Sequence, residues 1–114
     1  MSDCLFCKIG SGQIPAKVVM QDDEVLAFDD VNPQAPVHVL VIPKRHVADL
    51  NDADVGDQAL LGRLLEATTL VARKKGIAEA GYRVVANTGQ DGGQTVFHLH
   101  LHVLGGRHMA WPPG

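Results

Sequence analysis

At 114 residues, with 46% hydrophobic and 20% charged positions, the chain has the length and composition of a single globular domain, 1–114, which excludes a disordered or tail-like polymer. Its net charge of -3, with acidic residues spread along the chain and no basic stripe, argues against a nucleic-acid partner. No run reaches the roughly 18 to 20 apolar residues of a membrane span, and no secretory leader pattern opens the chain, so no membrane partner is expected and the cytoplasm is the expected compartment.

Residues 4–9 read as a short helix ended by Gly10-Ser11-Gly12, and residues 17–20 and 25–28 as two strands of a hairpin turning at Asp22-Asp23. Pro33 and Pro36 then punctuate a loop, because each pushes the residue before it out of helical geometry. The β-branched run 37–42, closed by Pro43, reads as an inner strand. Over residues 54–75 the positions Leu60, Leu61, Leu64, Leu65, Thr68 and Ala72 recur at helical spacing, with Arg73-Lys74-Lys75 in the last turn and Gly76 as the stop. Residues 82–86 and 96–104 supply two more strands around a loop at 89–93. The predicted architecture is therefore α+β: a five-stranded, mostly antiparallel sheet, one long helix between the third and fourth strands, and a short N-terminal helix.

The last of these strands carries His98-Leu99-His100-Leu101-His102-Val103, three imidazoles at every second position. On a strand this period places the three histidines on one face and the aliphatic residues on the other. Residues two apart lie about 6.6 to 6.8 Å apart along a strand, so His98 and His102 stand roughly 13 Å apart at the backbone. Zinc holds its nitrogens at about 2.0 to 2.1 Å, so one ion cannot take all three. The row must be divided between tasks.

The other chemistry-bearing residues suggest how. Cys4 and Cys7 form a Cys-x-x-Cys with no strand before it, which favours a metal over thioredoxin-type redox chemistry. His38 lies in the third strand and His46 just after it, so pairing of that strand with the last one brings them to opposite ends of the row. One end gathers Cys4, Cys7, His46 and His98 into a closed Cys2His2 set suited to a structural zinc, the bland alternative being two free thiols beside an incidental histidine. The other gathers His38, His100 and His102 beside the loop 87–95, whose Gly89, Gly92 and Gly93 let the backbone approach a ligand and whose Asn87, Gln94 and Thr95 offer neutral hydrogen-bond groups. A Gly-rich turn of this kind also occurs in hairpins with no ligand, and it lacks the P-loop pattern.

The run from His98 to Leu104 resembles the histidine triad motif of the HIT superfamily. Ile14-Pro15-Ala16-Lys17, Ala27-Phe28-Asp29-Asp30, Pro33-Gln34-Ala35-Pro36, Val41 to His46 and Gly92-Gly93-Gln94 agree with it, and Gly105-Gly106-Arg107 and Trp111-Pro112-Pro113-Gly114 resemble its Hint branch. The resemblance implies a homodimer whose two sheets join into one, and a purine nucleotide ligand. It also implies hydrolysis of nucleoside 5'-phosphoramidates such as AMP bonded to an amine. Within that resemblance His100 is the nucleophile that becomes nucleotidylated, and His102 and His38 support it. Asn87 and Thr95 serve the phosphate or leaving group, Gln94 belongs to the same loop, and Asp30 takes the ribose hydroxyls. Phe6, Ile9, Phe28, Val31 and Leu40 line the base site, while Cys4, Cys7, His46 and His98 hold zinc that catalysis does not require. A non-catalytic nucleotide- or partner-binding protein and a zinc-dependent hydrolase stand as the competing readings.

Overall fold

The computed structural model describes residues 3–114. Helix α1 spans Leu5–Gly10, strands β1 and β2 span Val18–Gln21 and Val25–Asp29, and β3 spans Val37–Pro43. Helix α2 covers Gln58–Lys74, and β4 and β5 cover Tyr82–Val85 and Leu101–Gly105. The five strands form one sheet in the order β1-β2-β3-β5-β4, and every pairing is antiparallel.

Local chemistry sets the turns. Asp22 Oδ1 accepts the N–H groups of Glu24 at 2.8 Å and Val25 at 2.9 Å, an Asx turn that reverses the chain between β1 and β2. The expected helix start at Asp54 resolves into a single 3-10 turn, Val55–Asp57, ahead of α2. There Asp54 accepts the Gly56 N–H while the Asp57 carboxylate accepts the Asp54 N–H, so two donors are satisfied reciprocally. At the other end Gly76 adopts φ +74°, the Ile77 N–H reaches the Ala72 carbonyl, and the Gly76 N–H reaches that of Arg73. This paired closure needs the left-handed residue that glycine supplies.

Both faces of the sheet are covered, which explains why β3 reads as a nearly unbroken apolar run. Val25, Ala27, Val39, Val41, Leu101 and Val103 face α2 and pack with Leu64, Ala67 and Val71. Leu26, Phe28, Leu40 and Ile42 face the opposite way and pack with Phe6 of α1. Leu65, expected on the buried stripe of α2, is instead 57% exposed, because the contact stripe runs through Leu60, Leu64, Thr68, Val71 and Ala72.

The last strand is shorter than its alternation suggests. It begins at Leu101, so of the three histidines only His102 sits in the paired ladder. His98 and His100 lie on the unpaired approach to it, which bends over residues 96–98 before the Leu99 N–H bonds to the Val47 carbonyl. The faces nevertheless alternate: Leu99 joins the α2 core, while His98 and His100 both stand edge-on to Phe6.

Candidate active site and metal site

Pairing of β3 with β5 sets His102 beside Leu40 and His38 beside Leu104, so His38 and His102 approach diagonally on one face. Their rings meet with His38 Nε2 and His102 Nδ1 2.9 Å apart, and His38 Nε2 also lies 3.4 Å from Asp30 Oδ2. His38 Nδ1 accepts the Gln34 N–H at 3.0 Å.

These contacts fix where the protons stand. Since His38 Nδ1 accepts, a neutral His38 carries its hydrogen on Nε2 and donates it to His102 Nδ1. His102 must then carry its own hydrogen on Nε2, which is buried and has no partner among the described residues. A buried donor left unpaired is costly, and a ligand acceptor would remove that cost. Burial, reinforced by the neighbouring His100 and His38 rings, pushes the His102 pKa down to about 4, and burial lowers that of His38 against the opposing pull of Asp30. Both rings are therefore neutral near pH 7.

His100 has a different anchor. Its Nδ1–H donates to the His98 carbonyl at 2.7 Å, so the lone pair is on Nε2. His100 and His102 lie with ring centroids 5.0 Å apart, which sets a lone pair beside an unpaired N–H donor. The two rings border a cleft of about 1020 Å³, closed on one side by Leu5, Phe6 and Ile9 of α1 and on another by Phe28 and Leu40 of the sheet and Asp30 just after β2.

At the far end of the histidine run, His98 is fully buried and donates from Nε2 to the Pro43 carbonyl at 2.7 Å. Its Nδ1 lone pair is left facing Cys4 Sγ at 3.4 Å and Cys7 Sγ at 3.5 Å, and His46 Nδ1 stands 3.3 Å from Cys7 Sγ. All four donor atoms lie within 4.8 Å of one another. A tetrahedral ion with bonds of about 2.0 to 2.3 Å separates its nitrogen and sulfur ligands by roughly 3.5 Å, so the spacing suits a four-coordinate metal. Cys4 also accepts the Cys7 N–H at 3.4 Å as the cap of α1, which fixes its sulfur toward Cys7. Burial, then the hydrogen bond and charge of Cys4, raises the Cys7 thiol pKa, so Cys7 keeps its proton until a cation displaces it.

A second group, Asp30, His38 and His102, is also compact enough to hold an ion. Its hydrogen bonding opposes that use. To offer Nε2 to a metal, His38 would have to move its proton to Nδ1, where the Gln34 N–H already points.

The structure thus brings His38, His100, His102, Asp30, Thr95, Phe6, Ile9, Phe28, Val31 and Leu40 to one cleft. Asn87 and Gln94, expected to face the ligand, do not line it. Gln94 is buried, its Oε1 accepting the Gly89 N–H and its Nε2 donating to the Ala48 and Val96 carbonyls, so its amide is consumed in bracing the loop. The wall from Ile14 to Lys17 and the rim at Asn32 to Gln34 line the cleft without having been singled out as site residues. In sequence Pro15 and Pro33 mark these segments as rigid turns, and both fall in stretches that carry the family resemblance.

The model of the HIT domain matches residues 11–109. An HIT-like protein of Synechococcus elongatus is 57% identical over 112 residues, spanning 98% of this chain and 97% of that one. The adenylylsulfatase HINT1 of Arabidopsis thaliana is 50% identical over 115 residues, spanning 99% of this chain and 78% of its own. Among solved structures, an HIT family hydrolase from Legionella pneumophila superposes with a TM-score of 0.96 at 53% identity, covering 98% of this chain and all of that one. A histidine triad protein from Clostridium difficile gives a TM-score of 0.94 at 44% identity, with 96% of each chain covered. With the triad, its supporting histidine and the cleft in place, these likenesses establish that the chain belongs to the HIT superfamily, on its Hint-like branch.

Proposed function

We propose that the protein hydrolyses purine nucleoside 5'-phosphoramidates, with AMP joined to an amine as the type substrate, through a nucleotidyl-histidine intermediate on His100. The observation that carries this reading is the pairing of protonation states: a lone pair on His100 Nε2 next to an unpaired N–H on His102. The first is a nucleophile and the second a donor, which is what displacement at phosphorus with a poor leaving group requires. His100 Nε2 attacks the α-phosphorus, the P–N bond breaks, and the departing amine takes a proton from His102 Nε2. Water then attacks the phosphorus, the P–Nε2 bond breaks, and AMP leaves while the water proton restores the histidine pair.

The purine stacks in the apolar part of the cleft formed by Phe6, Ile9, Phe28 and Leu40, with Val31 at its rim. Asp30 Oδ2 accepts from the ribose hydroxyls, its Oδ1 being engaged by the Asn32 N–H. The Thr95 hydroxyl serves the phosphate or leaving group. Zinc would be held by Cys4, Cys7, His46 and His98, where a closed tetrahedral set leaves no position for substrate and supplies stability. The hydrogen bonding of His38 speaks against the metal-dependent alternative at Asp30, His38 and His102. Joining of two sheets into a homodimer fits the outer edge of β4, an end strand of the sheet order with Val84 37% exposed.

The name of the Arabidopsis relative favours a second leaving group, sulfate in place of an amine, at the same phosphorus. The test is mass spectrometry after brief mixing with an AMP-amine substrate, with adenylyl sulfate run alongside. AMP on the peptide containing His98 to His102, lost in His100→Ala, is the expected result. Turnover with AMP on no histidine would overturn the mechanism, and preferential turnover of adenylyl sulfate would reassign the substrate.

A further inference from the structure

The loop from Asp30 to Pro36 rims the cleft through Val31, Asn32, Pro33 and Gln34, and it also supplies the N–H that holds His38. Pro33 and Pro36 stiffen it by fixing φ. It is gripped from outside by the turn that follows β5. Gly106 has φ +89°, and a Cβ there would lie 2.8 Å from that of Pro36, so the turn can press on the loop only with glycine at this position. The next residue, Arg107, donates from Nη2 to the Gln34 carbonyl at 3.1 Å and from Nη1 to the His108 carbonyl at 3.2 Å. Gln34 is thus held on both sides, its carbonyl by Arg107 and its N–H by the His38 ring.

We propose that Arg107 is a positioning residue for the reaction: by fixing Gln34 it selects the tautomer of His38 and, through His38, keeps the proton of His102 on Nε2. The proposal rests on the hydrolytic reading above for its kinetic part and on hydrogen bonding alone for its structural part. Both histidines are neutral near pH 7, so their tautomer rather than their charge is what the surroundings must set. If the Gln34 N–H swings away, His38 is free to carry its proton on Nδ1. His102 Nδ1 then loses its donor, and the His102 proton can move there, leaving a lone pair on Nε2 facing the phosphoryl oxygens. Molecules in that state lack the proton for the leaving group, and the rate falls with the competent fraction. Arg107 touches neither His38 nor His102, and among the described contacts only Gln34 joins it to them.

The experiment compares wild type, Arg107→Ala and Arg107→Lys, each labelled with 15N and without ligand, by long-range 1H–15N correlation at neutral pH. Wild type is expected to show His38 and His102 both protonated on Nε2. Arg107→Ala is expected to show a mixture on both rings, and Arg107→Lys, which retains one donor for the Gln34 carbonyl, a smaller admixture. Because two exposed hydrogen bonds are removed, only one of them to Gln34, kcat for an AMP-amine should fall by about 3- to 10-fold in Arg107→Ala, with KM changed less than about 2-fold. Wild-type spectra with the proton on Nδ1 of either ring overturn the proposal whether or not the variants fold. Folded Arg107→Ala with wild-type tautomers overturns it as well. A wild type that turns over no nucleotide substrate refutes the hydrolytic reading instead and leaves the tautomer result standing.

Discussion

The two ends of the segment from His98 to His102 are built from the same residue type and reach opposite chemistries. At the thiol end the His98 ring gives its proton to the Pro43 carbonyl and presents Nδ1 to two sulfurs. At the cleft end His100 gives its proton to the His98 carbonyl and keeps the Nε2 lone pair, while His102 accepts on Nδ1 and offers Nε2–H. Imidazole has one lone pair and one N–H when neutral, so whichever atom the fold occupies decides what the other can do. Backbone carbonyls and one loop N–H thus set which nitrogen of each triad ring is free, and His98 belongs to both ends, its ring to one and its carbonyl to the other.

The sharpest break between the ends is in the chemical step. His100→Ala should lower turnover of an AMP-amine by at least about 10³-fold, while zinc content stays near one per chain and nucleotide binding persists. Steady-state kinetics, metal analysis and calorimetric titration with AMP check the three parts. Retained turnover would remove His100 from its assigned role.

Phe6 is where the ends meet, standing edge-on to His98 at 5.9 Å and to His100 at 5.1 Å between ring centroids. Phe6→Ala opens a cavity in the smaller core and should cost about 3 to 5 kcal/mol, read by denaturant unfolding. It should also weaken both zinc retention and AMP binding. A loss confined to one end would show that α1 does not couple them.

Cys7→Ser tests the thiol end alone. Zinc per chain should drop from about one to near zero, and the melting temperature should fall, whereas kcat at saturating substrate stays within about 10-fold of wild type. Loss of turnover proportional to zinc loss would instead favour a metal-dependent reaction.

The smallest effect is the pH response of the cleft end. The folded pKa of His102, about 4, lies below its ordinary value of 6.5, so the fold favours the neutral ring. That contribution is complete above pH 6.5 and is lost as pH falls toward 4. His38, lowered by burial, acts in the same direction. Melting temperatures between pH 7 and 4 should decline more steeply for wild type than for His102→Gln, and parallel curves would exclude His102 as the source.

Much of this was legible in the sequence. The elements, the antiparallel sheet, the helix stop at Gly76 and the division of the histidine row all follow from periodicity, turn chemistry and strand spacing. The length of the last strand was not legible, since alternation is identical in a paired strand and in the unpaired approach that carries His98 and His100. Gln94 misled for a related reason: a neutral amide in a Gly-rich loop looks the same whether it faces a ligand or saturates the loop's own backbone. Leu65 sits at a helical repeat that brings it close to the stripe, but whether the stripe extends so far depends on how α2 lies across the sheet.

The sequence by itself determined which residues could share a face, and that no single ion could take all three histidines, because covalent geometry fixes the rise and period of an extended chain. Tertiary structure alone decided which nitrogen of each ring is free, because the partners that settle it, Pro43, the His98 carbonyl, Gln34 and the two thiols, are brought there by the packing of α1, β3 and the loop before it.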